Sequence, residues 1–155
     1  MKLDEFDFKL LNALIEMPEE KFKVLAQKLQ TTLPTIYNRI DKLKKAGILQ
    51  GMQPKINLEK LNYDITAFIQ ISIESKSVLN LVKELKAKHN ITGIFEVSGP
   101  YNLFLIAKFS STIELKKLIE ELAALKEVHE IETAVSYNSF KEETIPFPLK
   151  KLEEK

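Results

Sequence analysis

Apolar positions alternate with polar ones at helical spacing over the first third of the chain. Leu3, Phe6, Leu10, Leu11 and Leu14 form one such stripe, with Asp4, Glu5 and Asp7 near the favourable N-terminal pole and Pro18 just beyond the end. The pattern predicts a first helix over 3–14. A shorter one follows from Lys21 to Leu29, with Phe22, Leu25, Ala26 and Leu29 on one face. Gln30-Thr31-Thr32 then reads as a turn into a third helix. Thr32 can cap that helix, Pro34 suits its first turn, and Gly47 ends it after three basic residues. Its buried stripe is Ile36, Ile40 and Leu43. A tight turn between the second and third helices predicts a helix-turn-helix, to which 48–52 and 54–57 add a small wing.

Beyond a connector the period changes. Residues 66–74 alternate and are rich in β-branched side chains, which predicts a strand; Val78 to His89 is an amphipathic helix. Residues 91–98 and 102–109 are strands joined at Gly99-Pro100-Tyr101, Ser111 to Leu125 is a helix, and Val128 to Phe140 is the last strand. The order βαββαβ predicts a ferredoxin-like module. The fold class is therefore α+β. An N-terminal winged helix-turn-helix occupies 1–53, a connector 54–64, the ferredoxin-like module 65–140 and a charged tail 141–155. The tail is read as either frayed or packed on a partner subunit.

Charge sharpens this picture. The net charge of +1 hides a local excess, because residues 21–60 carry nine Lys or Arg against two acids, whereas residues 1–20 carry two Lys against six. A basic patch of this kind attracts polyanions. The absence of cysteine excludes disulfides and thiolate metal sites. No apolar run reaches the ~18 residues of a membrane span and no signal peptide is evident, so a cytoplasmic protein is expected.

Candidate chemistry concentrates on the third helix. In a helix lying in the major groove, the N-terminal residues reach base edges and later lysines meet phosphates. Thr32, Pro34, Thr35, Tyr37 and Asn38 are thus placed for base reading and entry, and Lys42 and Lys45 for phosphates. Asn38 can pair bidentately with adenine. Arg39, the single arginine, borders the buried stripe. It is read as a DNA contact, as the partner of an acid on the first helix such as Asp4 or Asp7, or as both.

The residues together resemble the Lrp/AsnC family of bacterial and archaeal regulators, the feast/famine proteins. The resemblance is carried by Leu3-Asp4-x-x-Asp7 with Leu10-Leu11, by Leu25-Ala26, and by Thr32-x-x-Thr35-Ile36-x-x-Arg39-Ile40-x-x-Leu43-x-x-x-Gly47-Ile48-x-x-Gly51. Asn57-x-x-x-Leu61-Asn62-Tyr63, Ser98-Gly99-x-Tyr101 and Val128-x-x-Ile131-x-Thr133 extend it over nearly the whole chain. It implies a transcription regulator that binds double-stranded DNA as a homodimer paired through its C-terminal sheets, often as an octamer. It also implies a pocket, usually for an amino acid, near the turn, with Ser98, Gly99, Tyr101, Asn102 and Thr133 as its residues. The family's turn typically reads Ser-Gly-Asp-Tyr-Asp, and Pro100 and Asn102 stand here where the acids would be. Either the ligand differs, or the module serves only assembly.

Two other readings compete. AsnC-like haem-pathway decarboxylases share this fold pair, but His89-Asn90 is followed by Ile91, and no arginine follows Arg39 to bind tetrapyrrole carboxylates. His129 stands alone, and Glu130 and Glu132 read as solvated acids. No paired histidines, phosphate loop or nucleophile elbow is present, so neither an enzyme nor any cofactor or metal is expected. A non-enzymatic partner that co-assembles with another family member is the third reading.

Overall fold

The computed structural model describes residues 3–51 and 54–150. The chain divides into two compact units. One holds the described residues up to Lys55 together with those from Lys141 onward, the other Ile56–Phe140.

The first unit is built on three helices: α1 (Glu5–Glu16), α2 (Phe22–Lys28) and α3 (Leu33–Lys45). Helix α1 starts with a reciprocal cap. The Asp7 N–H donates to Asp4 Oδ1 at 2.8 Å, and the Asp4 N–H donates to Asp7 Oδ2 at 3.0 Å, with aspartate in the place more often held by Glu or Gln. Helices α2 and α3 end in the same way. At the end of α2 the Thr31 N–H reaches Ala26 O and the Gln30 N–H reaches Gln27 O; at the end of α3, Ile48 reaches Leu43 and Gly47 reaches Lys44. Both are Schellman closures that require a left-handed residue, here Gln30 at φ 52° and Gly47 at φ 70°.

The stripes of the three helices meet in one buried cluster of Leu10, Leu11, Ala13, Leu14, Leu25, Ala26, Ile36, Ile40 and Leu43. Leu10, Leu25, Ile36 and Leu43 are wholly shielded from solvent. Each such side chain contributes roughly 1.5–3 kcal/mol, so this cluster dominates the stability of a unit with little regular structure besides. Residues 48–51 and 54–57, expected to form a wing, have no strand pairing; Met52 and Gln53 lie outside the described residues. The tail from Lys141 belongs to this unit, and Leu149 packs against its core.

The second unit runs β1 (Ile65–Ile73), α4 (Val78–Leu85), β2 (Ile91–Glu96), β3 (Leu103–Phe109), α5 (Thr112–Ala123) and β4 (Val128–Val135). Its antiparallel sheet has the order β2-β3-β1-β4, which is the split arrangement expected from βαββαβ. Helix α4 stops at Leu85 rather than His89, because Ala87 and Lys88 turn back to carbonyls three residues earlier and tighten the last turn. Strand β4 stops at Val135 rather than Phe140. Its neighbour β1 begins at Ile65, and after Ser136 donates to Thr66 O no strand is left to pair with.

Alternation along β1 and β3 sends Ala67, Ile69, Ile71, Ile73, Leu103, Leu105, Ala107 and Phe109 to one face, where they pack under Val78, Leu81 and Leu85 of α4 and Leu115, Leu118 and Leu122 of α5. The opposite face carries no helix of this unit. There Phe68 stacks on Phe104 at 6.2 Å between centroids, and Phe104 lies 6.5 Å from Phe95, which is half exposed.

Candidate nucleic-acid interface and effector turn

The cap of α3 is the first fixed point of the site. Thr32 Oγ1 accepts the Thr35 N–H at 3.4 Å and lies 2.8 Å from Thr35 Oγ1, so both hydroxyls are drawn into the helix start. With Ile36, Ile40 and Leu43 buried, the helix turns Pro34, Tyr37, Asn38, Asp41, Lys42 and Lys45 to solvent. Tyr37 leans edge-on against Phe22 of α2, with centroids 5.3 Å apart, which limits the swing of its ring. Lys45 pairs with Asp41 at 2.7 Å, a solvent-exposed i,i+4 contact that little opposes its movement onto a phosphate.

Arg39 points the other way. Its Nη1 donates to Asp4 Oδ2 at 2.6 Å and to Asp7 Oδ1 at 3.1 Å, and its guanidinium lies 5.6 Å from the ring centroid of Phe6. Asp7 is almost wholly buried, so the pair sits at the edge of the core. The bond to Asp4, followed by the charges of Asp7 and Asp4, raises the guanidinium pKa further above its ordinary range. The two carboxylates that cap α1 therefore also hold α3. The ion pair that the sequence offered for Arg39 is formed.

The other candidate residues lie in the second unit, where Ser98, Gly99, Tyr101 and Asn102 share the turn between β2 and β3. Asn102 is held at both ends of its amide: Oδ1 accepts the Ile73 N–H at 3.0 Å, and Nδ2 donates to Ile73 O at 2.8 Å. Its own N–H donates to Ile71 O. The side chain thereby pins the turn to the end of β1, where the register with β4 shifts. Tyr101 meets Glu130 and Glu132 of β4. Desolvation first, then these two carboxylates, push its phenol pKa up. Thr133 stands opposite Ile69 of β1, a residue of the helix-covered face, whereas Glu130 and Glu132 stand opposite Ser72 and Gln70 on the open one. The turn residues thus gather Glu130 and Glu132 more directly than Thr133. Spacing had given these acids no partner, because the approach of the turn across β1 is a property of the sheet order.

Residues 3–50 match the family model for a winged helix-turn-helix DNA-binding domain, and residues 66–146 match that of the Lrp/AsnC ligand binding domain. The chain belongs to the Lrp/AsnC family. Among its relatives, an HTH-type transcriptional regulator of Pyrococcus furiosus is 33% identical, covering 92% of this chain and 97% of its own length. The regulatory protein AsnC of Haemophilus influenzae is 26% identical over 86% of this chain and 91% of its own. The solved structure of AsnC from E. coli superposes with a TM-score of 0.84 at 26% identity, over 94% of this chain and 99% of that one. This Lrp/AsnC protein is a DNA-binding transcriptional regulator. Among the described residues no helix is long and apolar enough to cross a membrane.

Proposed function

We propose that the protein is a homo-oligomeric regulator that recognises specific double-stranded DNA with α3 and pairs its copies through the open face of the sheet. The observation that carries the DNA reading is the division of α3 into a wholly buried stripe and an exposed face bearing Pro34, Tyr37, Asn38 and Lys42, with Thr35 at its entry. Asn38 reads an adenine edge, Thr35 and Tyr37 shape the approach, and Lys42 and Lys45 meet phosphates. Arg39 acts as a positioning residue: it holds α3 against the start of α1 instead of entering the groove.

Pairing through the sheet is supported by the row of Phe68, Phe104 and Phe95 on a face that no helix of the unit covers. A two-fold dimer presents two recognition helices to successive turns of a pseudo-palindromic site. The Ser98–Asn102 turn is the response site for a small molecule. Since both ends of the Asn102 amide are engaged by Ile73, a ligand there is met by Ser98, the main chain around Gly99 and the Tyr101 hydroxyl.

The deciding experiment is binding to a duplex from the protein's own upstream region against a scrambled duplex, over a salt series. A preference of about 10³ or more at physiological salt is expected. Equal, steeply salt-sensitive binding to both duplexes would overturn specific recognition, and no binding at low salt would overturn the DNA reading.

A further inference from the structure

Asn12 occupies the middle of α1, a place where asparagine is a poor helix former. Its amide faces the C-terminal segment. The Leu149 N–H donates to Asn12 Oδ1 at 2.7 Å, and Asn12 Nδ2 donates to Leu149 O at 2.9 Å. A carboxamide carries both a donor and an acceptor, so it can pair with one residue's main chain as a neighbouring strand would. Leu149 is also the most shielded residue of 141–150, and it packs against the cluster of Leu10, Leu25, Ile36 and Leu43.

Residues 141–148 reach this anchor largely exposed, with Ile145 and Phe147 about half covered. The chain thus leaves the DNA-binding unit near Lys55, builds the sheet, and returns to the first unit at Lys141. At Leu149 the return is anchored by two hydrogen bonds and one partly buried leucine. An anchor of this size, set against the conformational entropy lost in ordering the largely exposed residues before it, is releasable.

We propose that residues 141–149 are a strap whose docking on Asn12 completes the DNA-binding unit and gives it a second chain connection to the assembly unit, so that DNA affinity depends on the strap being docked. The inference rests on the DNA reading above. Its parts are separable, because docking can be observed without DNA.

The experiment compares the full chain, Asn12→Ala, a chain ending at Phe140, and the two changes combined. It reads hydrogen–deuterium exchange in α1 and at Leu149, together with affinity for the upstream duplex. Alanine favours helix, so Asn12→Ala removes the anchor without weakening α1 itself. Expected are faster exchange at Leu149 and along α1 in Asn12→Ala, the same acceleration of α1 in the shortened chain, no further effect in the combined variant, and DNA binding weakened roughly tenfold in each, as when about a tenth of the units stay competent. Unchanged exchange in Asn12→Ala would overturn docking, and lost protection with full DNA affinity would overturn the dependence. Additive effects in the combined variant would show that Asn12 acts apart from the strap and overturn it too. A wild-type chain that binds neither duplex would refute the DNA reading, leaving exchange to decide the docking.

Discussion

At the scale of single residues, α3 separates two kinds of polar side chain by where the helix points them. Asn38 faces solvent and Arg39, one position on, faces α1. Asn38→Ala should relax preference at one or two base pairs at a cost of about 1–3 kcal/mol, whereas Lys42→Ala should weaken all duplexes and shallow the salt slope by about one unit. Equal losses on every duplex would remove Asn38 from the reading face. Arg39→Met should lower the stability of the first unit by about 1–3 kcal/mol, because Asp7 loses its cation while keeping its bond to the Asp4 N–H. Urea unfolding followed by circular dichroism measures this, and Arg39→Lys should recover only part, lacking the planar fork.

Asp4 supplies a pH signature. The Asp7 N–H, and then Arg39, hold its carboxyl below the ordinary 3.8. A carboxylate depressed on folding stabilises the fold fully above its unfolded pKa, and that contribution disappears as the pH falls through the lower folded value. Denaturation midpoints should therefore decline below about pH 4, and decline less steeply in Asp4→Asn. Tyr101 shifts oppositely, so its phenol should ionise at higher pH than an ordinary tyrosine in an ultraviolet titration. Glu130→Gln with Glu132→Gln should bring it part of the way back, since desolvation is the first cause.

Among the elements, the two Schellman closures make a paired test. Gly47 takes the left-handed conformation freely, whereas Gln30 bears its cost in the turn of the helix-turn-helix. Gly47→Ala should destabilise by about 1 kcal/mol and Gln30→Gly should stabilise by about 0.5 kcal/mol, as read from thermal midpoints. Opposite signs are the expected result, and a loss at both positions would show that the Gln30 side chain matters more than its backbone.

This contrast also shows what the sequence could reveal. Gly47 announced a helix end by its residue type, and the stripe of Ile36, Ile40 and Leu43 announced the buried side of α3 by its period. Alternation extends β4 to Phe140, whereas the strand stops at Val135, because alternation records which residues suit a strand while its length depends on where β1 begins. The site was legible in the same proportion. The exposed face of α3 followed from periodicity, but the Asn102–Ile73 clamp and the approach of Tyr101 to Glu130 and Glu132 depend on long-range register. Neither reading of the tail, frayed or packed on a partner subunit, includes the contact of Leu149 with Asn12 of the same chain, since nothing local in Pro148-Leu149 indicates a partner 137 residues earlier.

At the scale of the whole molecule, the open sheet face should govern assembly. Phe104→Glu places a charge in the aromatic row opposite Gln70, away from the core beneath α4 and α5. Light scattering should show the variant as a monomer with a thermal midpoint close to that of the parent, and binding to a two-half-site duplex should fall with it. An unchanged assembly would place the interface elsewhere.

The return of the chain to Asn12 also bears on the order in which the protein is made. Domains generally fold as they emerge from the ribosome, the N-terminal one first. Here α1, α2 and α3 emerge first, but Leu149 arrives only after the whole of Ile56–Phe140 has been synthesised. The assembly unit therefore has its full set of residues before the DNA-binding unit does. The core of Leu10, Leu25, Ile36 and Leu43 can thus form before the segment that contacts it at Leu149 has been made, and the finishing of the DNA-binding unit waits on synthesis of the sheet that follows it.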